Sequence, residues 1–502
     1  MKNYLLILIS IFFLNSCAYK QKSQNSNDIN TDNKTNQLDF KKFETKFESK
    51  ISNLFKEYNL KGDLILGIVD KSGLIYSYAF NQDLIHGKTS SLNNDSPIYI
   101  ASHTKALTGT LLKILEDEGK IDLNKTLYHY IPELTFNGRV DTKLITVRSL
   151  LNHTSGISCD VVTYKTAYLG YSGNNEEIIN DFNLYSEINT SGKFRYSNIG
   201  PIIAGIIVEK ITGNTWKEEM KKRIFDPLGM VNTSSNISDY NHSDIRPLVA
   251  VAKDTVYQSG FYKQDITMHA AGGTLSSIND LSKWLVANIN NDHKLISSID
   301  SWKSLHESTT VQDRTYFTYK RHGYSLGWDI ATYQKDTILM RFGGYAGISF
   351  HLSFIPEKEI GIIAFSNDNR MTSTHLAANY AYNLINNVTD SEEIFNREKE
   401  KLTTSFNHKN NSLLLNLSNE LMVNDTNKKI AGIYKNNVGL PDISITENKS
   451  RYEVKWGILE GHIYKKQGKE KSYIVSLGAL SQSLDIKKDS LLIGGVKFEK
   501  SK

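Results

Sequence analysis

At 502 residues the chain is longer than one hydrophobic core usually organises, which predicts a large domain with at least one smaller companion. Its composition, 39% hydrophobic and 23% charged, is that of a globular protein, and the formal charge of +5 is thinly spread. Much of the excess sits in lysine-rich ends such as Lys20, Lys22, Lys497, Lys500 and Lys502, with no basic face interleaved by aromatics, so nucleic acid is not an expected partner.

The chain opens with Lys2 and an apolar run, Tyr4 to Leu14. A run this short does not span a bilayer and reads as a secretory signal over residues 1–17. Its end, Leu14-Asn15-Ser16-Cys17, resembles the lipobox of bacterial lipoproteins. That resemblance implies lipidation at Cys17, a membrane anchor and a place in the cell envelope, periplasmic or outer-membrane in a Gram-negative source. Residues 18–38 are polar throughout and read as a flexible tether. Cys159 is then the one cysteine left to the mature chain, so an intramolecular disulfide is excluded and a buried thiol is expected.

A helix is predicted over Phe40–Tyr58, followed by a hairpin of Leu64–Val69 and Leu74–Tyr78 across the turn Asp70-Lys71-Ser72-Gly73. A second helix starts near Ser102 and runs to Glu118, stopped by Gly119, with Ala106, Leu107, Leu111, Ile114 and Leu115 on a buried face. Helices and turns fill 120–290. Strands return at Tyr324–Thr332, Ile348–Ile355 and Ile360–Phe365, and a helix at Ser373–Asn386. This order gives an α+β domain over 39–390, an antiparallel sheet flanked by helices in which first and last strands are neighbours. Residues 391–428 form a polar linker with some helix. From 429 to 502, short alternating strands such as Ile443–Ile445, Tyr452–Trp456, Tyr473–Val475 and Leu491–Ile493 predict a small β-barrel or sandwich.

Three motifs could carry chemistry. Ser102-His103-Thr104-Lys105 sets a hydroxyl and an amine one helical turn apart on one face, near a helix start that favours negative charge. A serine is a poor nucleophile until a neighbour takes its proton, which a lysine of lowered pKa can do. Tyr196-Ser197-Asn198 offers a phenol able to exchange protons near cations and an amide able to contact a substrate carbonyl. Arg341-Phe342-Gly343-Gly344 precedes a strand whose edge N–H could hold an oxyanion. No metal-ligand spacing and no Walker-type or dinucleotide glycine loop occurs, so neither metal nor cofactor is expected.

The order and spacing of these motifs resemble the serine β-lactamase and penicillin-binding protein superfamily, in its class C-like branch. Flanking stretches agree: Ile145–Ile157, Pro227–Met230, Ala271–Ser277, Gly323–Trp328 and Gly343–Ile348. The resemblance implies that Ser102 is acylated, that Lys105 and Tyr196 move its proton, and that Asn198, Arg341, Gly343 and Gly344 meet the substrate. Oxyanion donors would be the N–H groups of Ser102 and Gly344. Arg341 departs from the Lys or His usual there, and Phe342 supplies no hydroxyl; both departures argue against efficient β-lactam turnover. His153 reads as structural, and His351 as a strand residue of either face. The 429–502 segment resembles the small lipocalin-like or sandwich-like domain of some relatives. The expectation is a serine hydrolase, of carboxypeptidase or esterase type, acting on D-amino-acid peptides, small esters or β-lactams. The competing expectation keeps the fold without the chemistry, as an envelope binding or scaffolding lipoprotein.

Overall fold

The protein is described here by a computed structural model covering residues 40–501, apart from 82–91, 190, 247–248, 253–254, 259–261, 346, 369–371, 410–416, 424–428, 467–471 and 479. Cys17, the signal segment and the tether lie outside the described residues.

The larger fold is built on an antiparallel sheet. Its strands run in the order Gly73–Phe80, Leu64–Asp70, Ile360–Ser366, Ile348–Ile355, Asp336–Met340, Asp329–Tyr333, Tyr319–Tyr324 and Thr310–Tyr316. The strand Leu64–Asp70 pairs with Ile360–Ser366 from Leu64↔Ser366 to Asp70↔Ile360, so the early and late strands share one sheet as the sequence predicts. Strands Ile348–Ile355 and Ile360–Ser366 are buried at every position. Such strands need cover on both faces. Helices Ile278–Asn290 and Thr372–Ile385 supply it, and Phe40–Glu57 lies on the sheet beside the latter, Phe47 packing on Tyr76 and Tyr78 of strand Gly73–Phe80 and stacking on Tyr380.

One expected strand is in fact two. Tyr324–Thr332 reads as continuous, yet Tyr319–Tyr324 and Asp329–Tyr333 are separate and antiparallel. The turn between them is buried, so Leu326 and Trp328 carry the apolar signature of a strand while the backbone reverses. Gly327 explains the tightness: a Cβ there would lie 2.6 Å from the Lys105 carbonyl oxygen. This turn therefore presses directly on the helix Thr104–Asp117.

The C-terminal strands close into an eight-stranded antiparallel barrel, from Gly432–Lys435 to Val496–Lys500, sealed by Tyr434↔Lys500 and Lys435↔Glu499. Between the two folds, helix Ser391–Lys409 turns Ile394, Phe395, Glu398 and Leu402 inward. Phe395 packs on Tyr380 at 4.8 Å, and Glu398 accepts a 2.8 Å hydrogen bond from Asn379.

Burial holds the Glu398 carboxyl up, at about 7, although Asn379 and Tyr333 favour its charged form. Between the ordinary carboxyl range and that value the native protein keeps a proton the unfolded chain has released, so stability falls as pH rises through this window. Glu398→Gln removes the titration. It should stabilise the protein at pH 8 by on the order of 1–3 kcal/mol in urea unfolding, with the difference vanishing near pH 4.

Candidate active site

The Ser102–Lys105 motif is placed by the backbone on either side of it. Strand Ile98–Tyr99 pairs with Leu275–Ser276, and the Ile100 N–H donates to the Thr274 carbonyl at 3.2 Å. The chain then turns sharply through Ala101–His103, with Ala101 at φ +44°, before the helix Thr104–Asp117 begins. A non-glycine residue there is strained, which occurs where surrounding structure fixes the backbone. Gly343 is part of that surrounding. A Cβ at 343 would sit 2.3 Å from the Ile100 carbonyl oxygen, so only glycine lets strand Gly343–Tyr345 approach the turn that carries Ser102.

Ser102, Lys105, Tyr196 and Asn198 meet in space. Lys105 Nζ donates to Ser102 Oγ at 3.1 Å, to Asn198 Oδ1 at 2.7 Å and to the Ala271 carbonyl at 2.7 Å. The Tyr196 hydroxyl lies 2.9 Å from Ser102 Oγ. Lys105 Nζ and Arg341 Cζ stand 4.9 and 4.8 Å from the centroid of the Tyr196 ring. Burial lowers the Lys105 amine to about 8, helped by the Arg341 charge and opposed by Tyr196. For Tyr196, burial alone would raise the phenol, but the cations Arg341 and Lys105 outweigh it and bring it down to about 8. Two groups that exchange protons in the same range thus flank one hydroxyl, which is what proton transfer to and from a serine requires.

Arg341 is 6% exposed and already engaged. Nη1 pairs with Asp329 at 3.0 Å, and Nη2 donates to the Tyr196 hydroxyl at 3.2 Å. Although burial works against its charge, Tyr196 and Asp329 hold the guanidinium protonated. Asp329 is a residue that sequence reasoning missed. It pairs with Met340 across two strands, which brings it beside Arg341, and no motif marks such a cross-strand neighbour.

Two buried histidines orient these groups. The Ser197 N–H donates to His153 Nδ1 at 3.3 Å, so the proton of the neutral ring lies on Nε2, facing the Tyr324 hydroxyl at 3.1 Å. The His153 ring packs 4.7 Å from that of Tyr196, and burial together with Lys105 and Arg341 keeps it neutral. Its role is structural, as its sequence context suggests. His103, inside the Ser102–Lys105 motif, accepts from Trp284 Nε1 at 2.9 Å and therefore donates from Nδ1 to the Arg341 carbonyl at 3.2 Å. It ties the first and third motifs together. The Ala271 carbonyl, the remaining acceptor of Lys105, comes from the 271–277 stretch; a backbone oxygen has no residue signature. His351 points inward, 3.0 Å from His375 and apart from these groups, and Cys159 is a buried thiol.

The family described as Beta-lactamase matches residues 47–387. The chain belongs to the beta-lactamase family. Among curated relatives, the unguisins hydrolase ungD' of Aspergillus campestris is 24% identical over 315 residues, 59% of this chain and 57% of its own. The chain spans a little over half the length of the curated relatives it matches. The octameric penicillin-binding protein homologue from Pyrococcus abyssi superposes with a TM-score of 0.59 at 20% identity, covering 91% of this chain and 99% of that one. The D-alanine carboxypeptidase AmpC from Burkholderia cenocepacia gives 0.55 at 19% identity, over 70% and 100%. At these identities the two likenesses show the fold alone.

Among the described tyrosines with a displaced phenol, Tyr196 alone is lowered. Ultraviolet titration should therefore reveal one tyrosinate forming near pH 8, absent in Tyr196→Phe. Arg341→Met, which removes the larger of the two lowering charges, should move that step upward by about one unit or more.

Proposed function

We propose that the protein is an envelope-tethered serine hydrolase that works through an acyl-enzyme on amides or esters, with peptides ending in D-amino acids and small esters as its substrates. The observation that carries this reading is the contact of one serine hydroxyl with both a buried amine and a lowered phenol. Ser102 Oγ attacks the carbonyl carbon while its proton passes to one base, the ionised Tyr196 oxygen, which the charges of Lys105 and Arg341 stabilise. The N–H groups of Ser102, at a helical start where such donors lack intrahelical partners, and of Gly344 hold the oxyanion. Collapse expels the amine or alcohol, which takes the proton back, and water then attacks the ester by the same route reversed.

In this reading Arg341 serves by charge. Committed to Asp329 and Tyr196, it lowers the phenol and favours proton movement, rather than forking onto a substrate carboxylate. A cation that does not itself exchange protons supports peptidase or esterase action over rapid β-lactam turnover. The name of a curated relative, a hydrolase of unguisins, supports hydrolysis in general. A binding lipoprotein on the same fold gives no physical reason to bury an amine against a serine.

The test is a panel of a D-alanyl-D-alanine peptide, a D-amino-acid anilide, an activated ester and a chromogenic cephalosporin. Hydrolysis of the peptide, anilide or ester should exceed that of the cephalosporin and fall by about three orders of magnitude or more in Ser102→Ala. Cys17→Ser should release the activity from the membrane fraction. Turnover that survives Ser102→Ala, or is confined to the cephalosporin, would refute the assignment.

A further inference from the structure

The barrel touches the larger fold at a turn that leads back to the oxyanion strand. Residues Lys165–Leu169 form one wide helical turn. On one side Lys165 fastens it to Asp181 at 2.6 Å and Glu177 at 2.9 Å. On the other, Leu169 is buried within the barrel's own apolar core. The barrel turn Gly457–Ile458 sits directly on it, with the Ile458 N–H donating to the Leu169 carbonyl at 2.8 Å. Gly457 has φ +58°, and a Cβ there would lie 2.1 Å from that carbonyl oxygen, so the contact requires glycine.

The same turn grips Tyr345, the residue after Gly344. The Tyr345 hydroxyl donates to the Ala167 carbonyl at 2.9 Å, and its ring stacks on Tyr168 with centroids 5.2 Å apart. Beneath the ring, at 4.2 Å, lies the buried amine of Lys263, which donates to the Ala167 and Thr267 carbonyls at 3.2 and 2.9 Å. Lys263 thereby locks the turn, the loop leading to Ala271 and the oxyanion strand to one another. Tyr168 and Tyr345 remain partly exposed.

Direction along the strand assigns the wall a part of the substrate. The segment starts at Arg341, which touches Tyr196, the group that returns a proton to the leaving group. The leaving group therefore departs at that end, and the acyl group extends the other way, past Gly344 toward Tyr345 and Tyr168. We infer that the C-terminal barrel is a specificity element, its Gly457–Ile458 turn holding Tyr168 and Tyr345 as the wall of a subsite for acyl groups with an aromatic or bulky apolar side chain. This rests on the acyl-transfer reading of Ser102.

The experiment compares kcat/KM for p-nitrophenyl acetate and p-nitrophenyl 3-phenylpropionate, which share a leaving group and differ in the acyl group. Wild-type protein should prefer the phenylpropionate. Tyr168→Ala and Gly457→Ala should each cut that preference by about fivefold or more while the acetate changes little. Ile458→Ala, which keeps the backbone contact, should act in the same direction to a smaller extent, and serves in place of Gly457→Ala if that variant does not fold. Equal losses on both esters, or an unchanged ratio, overturn the inference. Ester hydrolysis that persists in Ser102→Ala instead overturns the acyl-transfer reading beneath it.

Discussion

Tyr196 lies between two buried cations, and the rest of the site is arranged to keep it there. A phenol in a dry pocket holds its proton tightly; one faced by Lys105 and Arg341 releases it near neutral pH. Both cations carry their own burial cost, met by specific partners. Lys105 is surrounded by the Ser102 hydroxyl, the Asn198 amide oxygen and the Ala271 carbonyl, all neutral acceptors, so its charge stays easy to remove. Arg341 has the carboxylate Asp329, so its charge stays fixed. One cation titrates and the other does not, and the phenol between them inherits both properties.

This dependence accounts for much of the surrounding fold. Gly343 and Gly327 permit two backbone segments to close on the turn and first helical residues around Ser102. His103 links that helix to the Arg341 backbone, and His153 holds Ser197 and packs on Tyr196. Each imidazole is buried and neutral, so neither adds a further cation beside Tyr196.

The sequence marked the candidate reacting groups because side chains suited to such chemistry are chemically distinctive. Ser102, Lys105, Tyr196 and Asn198 stand in motifs, and the structure brings all four together. Less legible were the groups that act through backbone or through sheet register. The Ala271 carbonyl has no residue identity, and Asp329 meets Arg341 only because Asp329 pairs with Met340. The turn at Ser325–Trp328 was hidden because burial gives its residues a strand's apolar pattern. Helix Ser391–Lys409 reads as polar because few of its described side chains face inward. In the barrel, strands such as Leu459–Lys466 and Leu480–Ile486 escaped notice because polar residues interrupt their alternation.

The account stands on Ser102 being the group that becomes acylated, and a stable covalent probe reads this most directly. The intact protein would be treated with a fluorophosphonate, which loses fluoride as its phosphorus bonds to a nucleophilic oxygen, and then weighed and peptide-mapped. One adduct per chain, on the peptide bearing Ser102 and missing from Ser102→Ala, is the expected result. No adduct, or an adduct on any other residue, would contradict the mechanism at its first step.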